Sequence, residues 1–160
     1  MDIYDPVKVQ EVWSRVLQPP QTAPEEEMLL QWLSGEQASA ATYRALASRG
    51  GSFARRFRHM AADETRHFRR LAALYFLLFG VRPKVFPAAA DTERSLSAAM
   101  RSAYPAELSA AKGYRNAARR FPEQASMLNA IADDEEHHAR MLWEMTAELM
   151  PRTPPRRRRG

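Results

Sequence analysis

The feature that most constrains this chain is an internal repeat. Displacing the sequence by 71 positions lays residues 36–71 on residues 107–142 without a gap, and about 13 of the 36 aligned positions are identical. The identities include Glu36/Glu107, Tyr43/Tyr114, Glu64/Glu135, His67/His138 and Leu71/Leu142. A repeat of this length describes one supersecondary unit used twice, so any fold must pair two similar halves. Each half carries a lone Glu, then a Tyr, then a Glu-x-x-His.

Both halves read as helices. Ala, Leu, Met, Glu and Arg dominate, β-branched residues are sparse, and no stretch alternates as a strand would. Pro24 followed by Glu25, Glu26 and Glu27 opens a first long helix, and Gly50-Gly51 closes it. A second runs from about Ser52 to Phe79 and stops at Gly80. A third ends before Pro122. The fourth runs from about Pro122 to Met150. A short amphipathic segment is expected from Val7 to Leu17, ended by Pro19-Pro20. Gly50-Gly51 and Phe121-Pro122 leave room only for tight reversals, so helices one and two, and three and four, are antiparallel neighbours. The stretch from Gly80 to about Ala103 is a long crossover that holds a helical piece of its own, Asp91 to Met100. The expected fold is therefore all-α: a ferritin-like antiparallel four-helix bundle with one long crossover between helices 2 and 3. Residues 1–23 form an N-terminal segment, 24–150 the bundle, and 151–160 a disordered Arg-rich tail.

The chemistry lies on the inward stripes. Steps of three and four residues pick out Leu29, Leu33, Glu36, Ala40, Tyr43 and Ala47 in the first helix. The second gives Phe53, Phe57, Met60, Glu64, His67, Leu71, Leu74 and Leu78; the third, Glu107, Ala111, Tyr114 and Ala118. The fourth gives Leu128, Ile131, Glu135, His138, Leu142, Met145 and Leu149. An alternative register, Asp134-x-x-His137, breaks the repeat spacing and would bury Glu144 and Glu148. His59 and His137 fall off the stripes and read as surface residues. Asp63, Asp133, Asp134 and Glu136 read as solvated neighbours of the site.

Four carboxylates and two imidazoles thus meet in one core. Buried charge without a partner costs many kcal/mol. Two divalent metals balance four glutamates with the histidines neutral, and oxygen–imidazole donors suit iron or manganese. The chain has no cysteine, which excludes disulfides, thiolate zinc sites, iron–sulfur clusters and a cysteine nucleophile.

On Glu36, Glu64-x-x-His67, Glu107 and Glu135-x-x-His138, residues 25–150 resemble the ferritin-like di-iron carboxylate proteins, nearest the rubrerythrin family. The resemblance implies two iron ions, with manganese compatible. It implies Glu64 and Glu135 as bridges, Glu36 and Glu107 as terminal ligands, and His67 and His138 holding one metal each. It implies a di-iron peroxidase or oxidase that reduces hydrogen peroxide or dioxygen with an external electron donor. Two departures stand out. Rubrerythrins usually carry a cysteine-ligated rubredoxin domain, and here there is no cysteine; they also carry a second Glu where this chain has Ala110. Two other classes use such a centre: a ferroxidase working with a storage shell, and a hydroxylase of a quinone-like substrate. Tyr43 and Tyr114 either hydrogen-bond ligand carboxylates or fill ordinary core positions.

Charge adds a partner question. The formal net charge is +5, and residues 151–160 hold five arginines and no acid, so residues 1–150 are neutral. Arg156 to Arg159 read as a solvated tail or a contact for an anionic partner. Trp13, Trp32 and Trp143 read as core or interface residues. The apolar run Leu74 to Phe79 reads as a homodimer interface in preference to a contact for a hydrophobic substrate. The acidic, polar start Met1 to Pro6 lacks the pattern of a signal peptide, and Leu71 to Val81 is too short to span a bilayer, so a cytoplasmic protein is expected.

Overall fold

The computed structural model describes residues 24–86, 90 and 94–150. The expected segment 7–17, most of the helical start from Asp91, Trp13 and the Arg-rich tail lie outside them. Four long helices make the fold: α1, Pro24–Arg49; α2, Ala54–Phe79; α3, Leu96–Arg120; and α4, Ala125–Leu149. Among the described residues there is no strand, and no helix is long and apolar enough to cross a membrane.

The turns follow from glycine, proline and one serine. Gly51 takes φ +54 in a short 3-10 turn, Gly51–Phe53, that precedes α2. At Gly50 an added Cβ would lie 2.8 Å from the Leu46 carbonyl oxygen of α1 and 2.9 Å from the Phe57 ring of α2, so a side chain there would crowd both. Gly80 ends α2 in the left-handed conformation, its N–H reaching the Phe76 carbonyl at 2.9 Å. A 3-10 turn at Pro122–Gln124 leads into α4. Ser95 caps α3, accepting a hydrogen bond from the Ala98 N–H.

The third helix differs from expectation. It does not break near Ala103; it continues from Leu96 through Pro105 to Arg120. Pro105 is exposed, while Ala99, Met100, Glu107 and Ala111 on either side of it face the core. Packing on both flanks carries the helix over a residue that lacks a donor.

α1 packs along α2, and α3 along α4. Two hydrophobic cores result. One joins Leu46, Phe57, Met60, Met100, Leu142 and Met145. The other joins Leu29, Leu33, Leu71, Leu128 and Ile131. The start of α1 therefore sits with the end of α2, the end of α3 and the start of α4, so α1 and α4 run one way and α2 and α3 the other. The connection between Gly80 and Ser95 spans the bundle's length: Val85 packs on the second core, and the Arg94 carbonyl accepts from Arg49 at the far end. Full burial of each large aliphatic side chain stabilises the bundle by roughly 1.5–3 kcal/mol.

The inward stripes are observed with one drift. In α2 the buried position after Leu71 is Tyr75, not Leu74; Leu74 is half-buried and Leu78 exposed. A strict seven-residue spacing outruns a helix of 3.6 residues per turn, so the stripe rotates off the core within a few turns. Leu149, at the last turn of α4, is exposed. Trp143 is also exposed, and Trp32 is half-buried with its ring 4.8 Å from that of Tyr114.

Candidate metal centre

Between the two hydrophobic cores lies a polar layer. α1 contributes Glu36, α3 contributes Glu107, α2 contributes Glu64 and His67, and α4 contributes Glu135 and His138; all six are buried, none more than 5% exposed. Each helix delivers its residue because the acidic position continues an apolar stripe. The six side chains form two quartets. Glu36, Glu64, His67 and Glu135 place one ligand atom each within 4.8 Å of one another, and so do Glu64, Glu107, Glu135 and His138. Glu64 and Glu135 belong to both. The Nδ1 atom of His67 lies 3.0 Å from Glu135, 3.3 Å from Glu36 and 3.6 Å from Glu64. That of His138 lies 3.1 Å from Glu64, 3.4 Å from Glu135 and 3.8 Å from Glu107. The imidazole centroids are 6.1 Å apart.

Around this layer the two halves exchange contacts. The Tyr43 hydroxyl on α1 donates to Glu107 on α3, and the Tyr114 hydroxyl on α3 donates to Glu36 on α1. Each histidine turns Nδ1 inward and Nε2 outward to an aspartate of the opposite half: His67 to Asp134 at 3.0 Å, His138 to Asp63 at 3.2 Å. These contacts fix the rings' orientation. Asp63 and Asp134 are therefore not the solvated residues the sequence suggested: Asp63 is buried and Asp134 half-buried. The signal was present, because Asp63 and Asp134 coincide under the same 71-residue displacement. Helical direction concealed it: a residue one step before the ligand Glu leans to the neighbouring α2–α4 seam rather than into solvent. Arg66 bridges both aspartates, at 2.5 Å to Asp63 and 2.9 Å to Asp134. Asp133 and Glu136 are exposed and pair with Arg115, and His137 is exposed.

Comparison with known proteins agrees with this geometry. The rubrerythrin family model matches residues 27–146. The chain belongs to the rubrerythrin family. The match reaches into all four helices and includes all six residues of the polar layer. No curated protein and no solved structure gave a match.

In this rubrerythrin-family layer, electrostatics divides the carboxyls into two kinds. Burial pushes Glu36 up to about 8, and neighbouring Glu64 and Glu135 add to it, against the lowering contact of His67. Glu107 is raised for the same reason. Burial also acts to raise Glu64 and Glu135. There it is outweighed, chiefly by His138 and His67 for Glu64, and by Glu107 and both imidazoles for Glu135, so both are lowered. Burial lowers the imidazoles, but the surrounding carboxylates win: His67 is held up at about 12, and His138 is raised as well. Burial and the adjacent carboxylates keep Tyr43 and Tyr114 protonated, as donors. Without metal, two neutral acids, two carboxylates and two imidazolium ions sum to zero.

The donor set nonetheless fits a metal. Glu64 Oε1, Glu135 Oε1 and His138 Nδ1 are buried without a hydrogen bond, although each has an oppositely polar atom near it. These atoms meet opposite charge at 3.0–3.1 Å but make no aligned hydrogen bond, and all three converge on the same small volume. Carboxylate oxygen with imidazole nitrogen suits iron, manganese or zinc, and the lack of thiolates argues against a closed structural zinc site.

Proposed function

We propose that this chain is a non-haem di-iron oxidoreductase that reduces hydrogen peroxide or dioxygen with electrons from an external donor. The observation that carries the reading is the pair of quartets sharing Glu64 and Glu135. Two metal positions with two common carboxylates is the arrangement that holds two ions side by side, and family membership favours iron. Glu64 and Glu135 would bridge, Glu36 and Glu107 would each close one end, and His67 and His138 would each hold one ion.

Bound iron supplies the electrons for oxygen–oxygen bond cleavage. The chain's own residues set the conditions. Asp134 and Asp63 hold the imidazoles with Nδ1 inward. Tyr114 and Tyr43 hold one oxygen of Glu36 and of Glu107, leaving the other oxygen for the layer. Apolar cores above and below exclude bulk water and strengthen each electrostatic contact. A cavity of about 210 Å³ between α1 and α3 is lined by Ser39, Thr42, Ala103, Ala106, Tyr43 and Glu107, and gives a small oxidant a path to the Glu107 side. A larger apolar cavity of about 270 Å³ lies at the bundle's end, lined by Met28, Trp32, Leu78 and Phe121 among others. None of its lining residues belongs to the polar layer, so it lends no support to a quinone hydroxylase.

Anaerobic loading with ferrous iron, followed by optical spectra on adding peroxide and then dioxygen, tests the reading. The expected result is uptake of about two irons per chain and rapid appearance of ferric absorption with peroxide. Loading of a single iron, or no response to either oxidant, would overturn it.

A further inference from the structure

Resting on that redox reading, we propose that the groove between the start of α2 and the facing part of α4, centred on Arg55, Arg58 and His59, is the docking surface for an acidic one-electron carrier protein. Reduction of one peroxide to two waters consumes two electrons and two protons. Two carriers, each oxidised by one electron, supply the electrons. These 160 residues include no cysteine, hence no thiolate-bound cluster and no dithiol, so the electrons must arrive across the surface.

Position singles out this seam. The His59 side chain is 67% exposed, and its Nδ1 lies 3.1 Å from Asp63 Oδ2. The same oxygen lies 3.2 Å from Nε2 of fully buried His138. Two contacts therefore join solvent to the polar layer. On the α1–α3 side the corresponding groups are the buried tyrosines.

Charge points to the partner. The groove, about 420 Å³, is lined by Arg55, Arg56, Arg58, His59, His137 and Met141. Glu148 neutralises Arg56 at 2.6 Å. Arg55 and Arg58 are exposed and meet no carboxylate among the described residues. The repeat shows that the bundle does not need them: their counterparts are Ser126 and Asn129, and that of His59 is Ala130. A cationic patch confined to one half, beside a short path inward, steers an anionic protein and sets its orientation.

The test is calorimetric titration of the iron-loaded full chain with a plant-type [2Fe–2S] ferredoxin, an acidic one-electron carrier. A complex is expected at low ionic strength, weakened about tenfold or more at about 0.5 M salt. Arg55→Glu with Arg58→Glu should weaken it at least about tenfold at low salt, and the milder Arg55→Gln with Arg58→Gln should weaken it less. Reversal of Lys112 and Arg119, exposed on α3, should change it less than about twofold. No complex with the wild-type chain, or equal losses for the two reversals, would overturn the docking surface. So would tight binding of inorganic phosphate that vanishes with Arg55 and Arg58 while ferredoxin fails to bind, which would assign the groove to a small anion. Oxidation by peroxide of the anaerobically ferrous-loaded wild-type chain, with no other reductant present, separates the two readings. Its failure sinks the redox function whatever ferredoxin does, and its success with no complex sinks the docking surface alone.

Discussion

The α1–α2 half and the α3–α4 half supply the same inward set, a lone Glu, a Tyr and a Glu-x-x-His, yet they are wired differently one residue further out. Asp63 is buried and meets His59, Arg66 and His138; its counterpart Asp134 is half-buried and meets Arg66 and His67. Arg44 reaches Thr65 at 3.0 Å, whereas the matching Arg115 holds the acids Asp133 and Glu136. The first half exposes Arg55, Arg58 and His59 where the second has Ser126, Asn129 and Ala130. The six residues of the polar layer are the same in both halves, whereas the exposed groups at the start of α2 differ from those at the start of α4. The two halves should therefore respond alike when the shared layer is cut and unlike when the surroundings are cut.

The largest effect should come from the shared carboxylates. Glu64→Ala or Glu135→Ala removes a donor from both quartets and should abolish most metal binding. Glu36→Ala or Glu107→Ala opens one quartet and should leave about half. Elemental analysis after ferrous loading measures this. Unequal losses for Glu64 and Glu135 would break the equivalence of the halves.

Metal removal comes next. Bound metal stabilises only the folded state, by about 4 kcal/mol when free metal is a thousandfold above its dissociation constant. For a chain of this size that is on the order of 10 °C in melting temperature. Binding must expel the proton that Glu36 keeps up to about 8 and the one that His67 keeps up to about 12. Affinity should therefore rise with pH through neutrality and fall as the solution is acidified. Calorimetric melting with and without chelator, and titrations across pH, give both quantities. An affinity independent of pH would contradict the charge pattern of the layer.

Most of this was legible in the sequence, for identifiable reasons. The repeat located all six polar-layer residues because each sits on a stripe whose other members are apolar, and burial enforces that pattern. The four helices followed from the same periodicity and from Gly50, Gly80 and Pro122. Three things were not legible. The sequence extends the crossover to about Ala103, but α3 begins at Leu96 and packing on both flanks carries it through Pro105. Leu74 and Leu78 continue a seven-residue count that the real helix does not keep. Asp63 and Asp134 repeat faithfully, yet their partners lie on the opposite hairpin, and only the assembled bundle shows a contact between α2 and α4.

Those aspartates provide the third prediction. Asp63→Asn removes the charge from a buried carboxylate with three partners, and Asp134→Asn from a half-buried one with two. Hydrogen bonds to charged groups contribute roughly 1.5–3 kcal/mol, so the Asp63 change should cost about 2 kcal/mol or more and the Asp134 change nearer 1. Urea unfolding of the metal-free chain measures both. Asp63 sits at about 2, against an ordinary 3.8: burial acts to raise it, but His138 and Arg66 hold it down. A carboxyl lowered on folding contributes stability that is complete above 3.8 and lost as pH falls towards 2. The gap between the wild-type chain and Asp63→Asn should accordingly close over that interval and stay constant above it.

The smallest effect should separate the tyrosines. Each phenol is buried and donates to a terminal carboxylate, so Tyr43→Phe and Tyr114→Phe should each cost about 1 kcal/mol and neither should change metal content. Their surroundings differ. Tyr43 lines the α1–α3 cavity beside Glu107, with its ring 6.3 Å from that of His138. Tyr114 packs against Trp32, away from that cavity. If oxidant reaches the layer through this cavity, loss of the Tyr43 hydroxyl removes a donor on its path, whereas loss of the Tyr114 hydroxyl relaxes only Glu36. Stopped-flow oxidation of the ferrous-loaded variants by peroxide should then show a change of about threefold or more for Tyr43→Phe and less than about twofold for Tyr114→Phe. Equal rates for the two would mean that the halves are equivalent to the oxidant as well as to the metal, and that access lies elsewhere.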